Sequence, residues 1–416
     1  MRTRDCRESF ACAAGGAARP PCFNGAIRAP PLPRLLAALV GLIALATLVA
    51  IALMWPGHVR DEFAEVVQPS DPATVVGIDS RPCGATVAEQ CKRVFIHLDG
   101  GDAAGTRGVI QWGANGVDPP VHVGDRIRVA EAPPVPGYDA PNETDYTLVD
   151  FERGGSLLLL FGVFALLVLA FSRLRGALSL VGLGASLAVI LLFIVPAILN
   201  GQPPVAVAIA GSLAVMLITI PLAHGVGPKS VAALLGTTAS LLLTAALAVL
   251  FTHVARLTGL AGEEAFALRL ADPDVSLQGL LIAGMVIGAL GVLDDVTVSQ
   301  SSTVLALRAA NPALGFRELV TRAMHVGRDH VSATVNTLVL AYAGASLPVL
   351  LIFASGALPI GQALSLELVS EQVVATLVGS IGLIAAVPFT TAVAALLALH
   401  SSRDELEAAA AHGHAH

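Results

Sequence analysis

Apolar and polar positions divide this chain into long greasy segments and one sizeable polar stretch. Runs of about span length occupy 35–55, 155–172, 177–199, 205–222, 230–252, 275–293, 331–353 and 372–397. A bilayer core has no water to satisfy backbone N–H and C=O groups, so runs of this kind cross it as helices. Eight spans are therefore predicted.

The polar stretch, 56–154, carries a different period. Arg93-Val94-Phe95-Ile96-His97-Leu98 alternates, as does Val121-His122-Val123-Gly124-Asp125-Arg126-Ile127-Arg128-Val129. Asp99-Gly100-Gly101 and Pro119-Pro120 punctuate these runs. Alternation broken by Gly and Pro predicts short antiparallel strands joined by turns. The predicted fold is a polytopic α-helical membrane protein of about eight transmembrane helices, with a small extracytoplasmic mainly-β domain between spans one and two. Its parts are a disordered cytoplasmic tail (1–34), a first transmembrane helix (35–55), the β-rich domain (56–154), a seven-helix transmembrane domain (155–399) and a cytoplasmic tail (400–416).

Composition agrees with this reading. The 416 residues are 55% hydrophobic and only 13% charged, with a mean hydropathy of +0.75. So few charges do not cover the surface of a soluble protein. The net charge is −7 and no basic stripe occurs, which removes nucleic acid from the partners. The first run follows Arg19, Arg28 and Arg34, starts late in the chain and spans 35–55, longer than the apolar core of a cleaved signal peptide. It reads as an uncleaved signal anchor.

Alternating the chain from a cytoplasmic N-terminus puts Arg173, Arg175, Lys229, Arg308, Arg317, Arg322 and Arg328 inside. The opposing loops after the β-rich domain then hold only Arg256 and Arg269. That bias is the positive-inside pattern. The expected location is a bacterial-type inner membrane, with both termini cytoplasmic. The β-rich stretch, with 16 acidic against 8 basic residues, falls outside. Cys83 and Cys91, eight apart in that stretch, read equally as a disulfide or as two free thiols.

Intramembrane carboxylates are costly unless paired or hydrated, so Asp294 and Asp295 stand out. They are placed where the sixth span meets the cytoplasm, ahead of Thr297, Ser299, Gln300, Ser301, Ser302 and Thr303. Two carboxylates among hydroxyls suit a cation or a proton. The plain alternative is a helix cap and an aqueous turn. Adjacent residues do not share one helix face, so joint action is expected to need a helix break there.

A second group is Gly327-Arg328-Asp329-His330. Asn336, seven residues after Asp329, falls on the same helix face, about 10 Å deeper. Asn336 and Thr337 are read as neutral contacts along a polar path, and His330 as a group that titrates near neutrality. Headgroup contact by Arg328, Asp329 and His330 is the plain alternative. Asp294, Asp295 and Asp329 are the weak candidates for a metal.

A third group is His224, Lys229, Ser230, Gly236, Thr237, Thr238 and Ser240. His224 to Ser230 lacks the GxxxxGK[ST] pattern and a preceding strand, so nucleotide binding is rejected. Lys229 reads as a topology anchor. Glu371 reads as facing headgroups, and the terminal His412, His414 and His416 carry little weight for a metal.

Three stretches carry a resemblance. They are Gly288 to Gln300 (GALGVLDDVTVSQ), Gly327 to His330, and Asn336 to Pro348 (NTLVLAYAGASLP). With these motifs the chain resembles the YibE/F-like family of bacterial multi-pass membrane proteins over roughly 155–400. The resemblance implies a membrane fold and no particular chemistry.

The leading functional reading is a cation- or proton-coupled secondary transporter or permease. Its candidate residues are Asp294, Asp295, Ser299, Gln300, Arg328, Asp329, His330, Asn336 and Thr337. Its expected partners are the lipid bilayer and a small solute or ion, with no cofactor. The alternative is a non-transporting component that anchors an extracytoplasmic domain for binding an envelope protein. No trusted nucleophile–base spacing supports an enzyme. Transport predicts that Asp294, Asp295 and Asp329 converge on a cavity between helices. The Gly284/Gly288 step serves contacts within or between chains alike, so oligomeric state stays open.

Overall fold

The computed structural model describes residues 31–57, 70–82, 90–112, 119–132, 145–352 and 359–402. Both predicted tails and Cys83 lie wholly or largely outside these residues, and so does the question of a Cys83–Cys91 bond.

The first helix, α1 (Pro31–Leu53), precedes five strands. These are β1 (Asp71–Pro82), β2 (Gln90–Leu98), β3 (Arg107–Trp112), β4 (Arg126–Glu131) and β5 (Asp145–Phe151). They close a barrel in the order β1-β2-β3-β5-β4, with β3 and β5 parallel and the other pairs antiparallel. That is a five-stranded Greek-key barrel of the OB type. The alternation read from the sequence fills its core: Val94, Ile96 and Leu98 from β2 meet Val75, Ile110, Ile127 and Val129. Val121–Asp125 is a turn, in which the carboxylate of Asp125 accepts from the His122 N–H at 2.7 Å. Gly124 takes φ 96° there, a conformation few side chains tolerate.

Gly108 points into the barrel, and an added Cβ would sit 2.5 Å from the Tyr146 ring. Gly108→Ala is expected to loosen the barrel by about 2 kcal/mol through overpacking. Limited proteolysis of the full chain should then cut within 70–151 sooner. At the exit from β5 the Phe151 N–H (2.8 Å) and the Arg153 guanidinium (2.7 and 2.8 Å) bind Asp150. They hold its carboxyl below the usual carboxylate range.

The remainder is helical. In order come α2 (Gly154–Val189), a π-helical turn (Ile190–Ile194), α3 (Val195–Leu199), α4 (Pro204–His224) and α5 (Pro228–Val254). They are followed by α6 (Glu263–Ala271), α7 (Leu277–Ala310), α8 (Phe316–Ala345), α9 (Leu347–Ile352), α10 (Ile360–Leu364) and α11 (Glu367–His400). The π turn sits just before Pro196, whose missing N–H and ring disturb an α-helix. Its Phe193 stacks on Trp55 of the chain after α1, with ring centroids 6.2 Å apart.

Helices α5, α7 and α11 pack on one another at the centre, with α4 against α7 and α8 against α11 and α7. Their contact surfaces are rich in Ala, Gly, Ser and Thr, the residues that let membrane helices approach closely. Leucine and phenylalanine cover the outer faces, as on α2 at Leu157 to Phe161.

Six helices among the described residues are long and apolar enough to cross a membrane, against the eight expected. The second and third expected spans fall in one continuous helical stretch, Gly154–Leu199. Arg173 interrupts it with φ 49° and ψ −124°. Gly176 there backs onto the Val168 carbonyl, so close that a Cβ would lie 2.5 Å away. The seventh expected span, 331–353, is divided: the second half of α8 carries most of it, and α9 the rest.

The boundary of the sixth span also needs correction. It was expected to end at Leu293, yet α7 runs unbroken to Ala310. The amphipathic loop expected from Asp294 to His330 shrinks to 311–315, and α6 occupies part of the loop expected over 253–274.

Candidate functional site

Asp294 lies seventeen residues into α7, about 26 Å from its start at 1.5 Å per residue. The helix stays intact because its hydroxyls bond to its own backbone. Thr297 donates to the Asp294 carbonyl (3.1 Å), Ser299 to that of Asp295 (2.8 Å), and Ser302 to that of Val298 (2.8 Å). A polar run satisfied in this way needs no water and no break.

No break is needed for joint action either. Gly291, Asp294, Asp295, Val298, Ser299 and Ser302 form one stripe on α7, with spacings of three and four. The two carboxylates flank its midline, and together they line a cavity of about 650 Å³. The opposite wall comes from α2 (Leu178, Ser179, Gly182, Leu183), α4 (Thr219, Ile220, Ala223, His224) and Lys229 at the start of α5.

Asp294 is half-buried and Asp295 exposed. Thr219 lies beside the Asp294 carboxylate, yet neither its hydroxyl nor Oδ1 of Asp294 has a partner in good hydrogen-bond geometry. An incompletely paired carboxylate inside a helical bundle calls for a counter-charge. Lys229 is 5% exposed, and its ammonium donates to Nδ1 of His224 at 3.3 Å. Arg175 is close enough to repel it. The sequence separated His224 and Lys229 from Asp294 by more than sixty residues, and no local pattern signals that they share a cavity.

The other candidates separate. Gln300 is turned away from the cavity, 3% exposed, and ties three helices. Its Nε2 donates to the Ala323 carbonyl of α8 (3.0 Å) and to Oγ1 of Thr391 on α11 (2.7 Å). Gly327 of the second motif packs on it, with room for no more than a hydrogen: a Cβ would lie 2.9 Å from Oε1 of Gln300. The two motifs therefore meet in packing. Gln300→Leu is expected to cost about 1–2 kcal/mol, read as a lower unfolding temperature in detergent.

Asp329 does not line the cavity, which corrects the expected convergence of three aspartates. Arg328, Asp329, Asn336 and Thr337 are exposed and His330 is half-buried. Thr337 donates to the Ala333 carbonyl of its own helix at 3.0 Å. The polar path expected through Asn336 is absent from the cavity lining, because that face of α8 points away from α7. Among the described residues no group of three His, Cys, Asp or Glu side chains is placed to hold a metal.

On the opposite end of the bundle, Glu367 clamps a loop. Its carboxylate accepts from the Thr258 backbone and hydroxyl and from the Gly259 N–H at 2.7 Å. Glu371, one turn on, has an oxygen shut from solvent with no partner.

Residues 160–400 match the model of the family described as YibE/F-like protein. No curated protein matches the chain. No solved structure matches it.

Proposed function

Because the chain belongs to the YibE/F-like family and is a multi-pass inner-membrane protein, we propose that it is a secondary transporter or permease working through the Asp294/Asp295 cavity. One observation carries the reading: a 650 Å³ cavity reaches a carboxylate inside the bundle, midway along an unbroken 34-residue helix. Intramembrane carboxylates facing cavities are the sites where ions and protons are handled. Asp294 is the proposed site for a cationic group, whether coupling ion or solute, with Asp295 its partner and Ser299 a neutral oxygen contact. Coupling would come from an ion gradient.

The proposed layout keeps eight crossings. The 46-residue stretch is about 69 Å long by helix rise, more than twice the bilayer core of about 30 Å. A turn at Arg173 lets it cross twice, and the second half of α8 with α9 adds a further crossing. Arg175, Lys229 and Arg308 then share the cytoplasmic side with the mouth of the cavity.

Purified full-length protein in proteoliposomes tests this reading. Uptake of a mixed solute pool driven by an imposed pH or sodium gradient should exceed that of protein-free liposomes. Gradient-independent, background uptake would favour the anchoring alternative, for which the closed barrel offers a separately cored binding module.

A further inference from the structure

We propose that the cavity recognises a small zwitterion, with its cationic group at Asp294 and Asp295 and its anionic group at Lys229 and His224; the inference rests on the transport reading above. The two kinds of charge line one chamber of about 650 Å³. Among the described residues, none of the ion pairs joins Lys229 to Asp294 or Asp295. Lys229 is 5% exposed, and its ammonium hydrogen-bonds to an imidazole, which supplies no negative charge in its neutral form. Arg175 adds to the positive field at that wall. Asp294 keeps a buried oxygen without a partner, and Thr219 and Ser179 add neutral hydroxyls to the lining.

A buried ammonium and a half-buried carboxylate that line one cavity without pairing are each left short of a counter-ion. A simple cation would complete only the aspartate end and a simple anion only the lysine end. A ligand carrying both charges completes both at once. The chamber volume accommodates a small solute.

The test measures binding and flux separately, on full-length protein. L-alanine, L-glutamine and glycine betaine serve as zwitterionic probes, with ethylamine and propionate as one-ended probes. Calorimetry in detergent should show at least one zwitterion binding about tenfold or more tighter than either one-ended probe, as expected for an added charge-assisted contact. Lys229→Met should erase the advantage over ethylamine, and Lys229→Arg should retain it. Asp294→Asn should erase the advantage over propionate. Equal binding of one-ended and zwitterionic probes, an advantage that survives both neutral substitutions, or binding of no probe overturns the proposal. Zwitterion binding without flux in proteoliposomes overturns the transport reading and leaves this site standing. Flux of a one-ended ion alone does the reverse.

Discussion

Asp294→Asn is expected to leave a folded, slightly more stable protein that no longer moves its solute. The substitution keeps shape and removes charge. In the native chain the Asp294 carboxylate faces a cavity inside the bundle, with Oδ1 shut from water and unpartnered. Holding such a charge there costs stability, so its removal should raise the unfolding free energy by about 1 kcal/mol. If the same group carries the coupling ion, gradient-driven uptake should fall by about tenfold or more. Gain of stability with loss of activity separates a functional carboxylate from a structural one. Asp329→Asn is the matched control: Asp329 is exposed and outside the cavity lining, so uptake should stay near the native rate. Loss of stability without loss of uptake in Asp294→Asn would make that carboxylate a packing element.

The second large effect concerns the α5–α11 contact. A Cβ on Gly382 would fall inside the envelope of Oγ1 of Thr244. Thr244 cannot turn aside freely, because its hydroxyl donates to the Ser240 carbonyl at 2.8 Å and the residue is fully buried. Gly382→Ala should therefore destabilise the bundle by about 3 kcal/mol. Adding Thr244→Ala removes the obstructing oxygen and leaves only the Thr244 Cβ, at 3.3 Å. The double variant should recover at least about 1 kcal/mol, a coupling that distant sites do not show. Thermal unfolding of the four variants in one detergent measures it. Simple additivity of the two substitutions would mean that the helices do not touch at this point.

Membrane character and barrel strands were readable because each follows from a local constraint. Leu35 to Trp55 carries no charged side chain, and Val94, Ile96 and Leu98 point one way at period two. The limits of the reading also have local causes. Hydropathy falls at Asp294, so a boundary was expected there, but helicity depends on backbone bonding rather than on greasiness. Ser299, Ser302 and Thr303 return their hydroxyls to carbonyls of the same helix (2.8, 2.8 and 3.0 Å). The pair Asp294-Asp295 is adjacent in sequence and looked incapable of facing one cavity. The stripe from Gly291 to Ser302 spreads over more than one position per turn and takes in both.

Other features are tertiary and leave no mark on a single sequence. His224 and Lys229 reach the cavity because α4 and α5 turn beside α7. Asp329 fails to reach it because α8 packs through Leu319, Ala323 and Gly327, which turns Asp329 outward. Gln300 looked like a transport residue from its neighbours alone. Its two hydrogen bonds to α8 and α11 instead make it a brace between motifs distant in the chain.

The measurement closest to the central claim is the water accessibility of the α7 stripe. In full-length protein with its five native cysteines replaced, single cysteines at Ser299, Ser302 and Ser301 are exposed in turn to a water-soluble maleimide. Ser299 and Ser302 line the cavity, whereas Ser301 is 0% exposed on the packed side of the same helix. Labelling of Ser299→Cys and Ser302→Cys should outpace that of Ser301→Cys by about tenfold or more, since reaction needs access for the thiolate. Equal, slow labelling at all three positions would mean that no aqueous chamber reaches the aspartates, and would contradict the account.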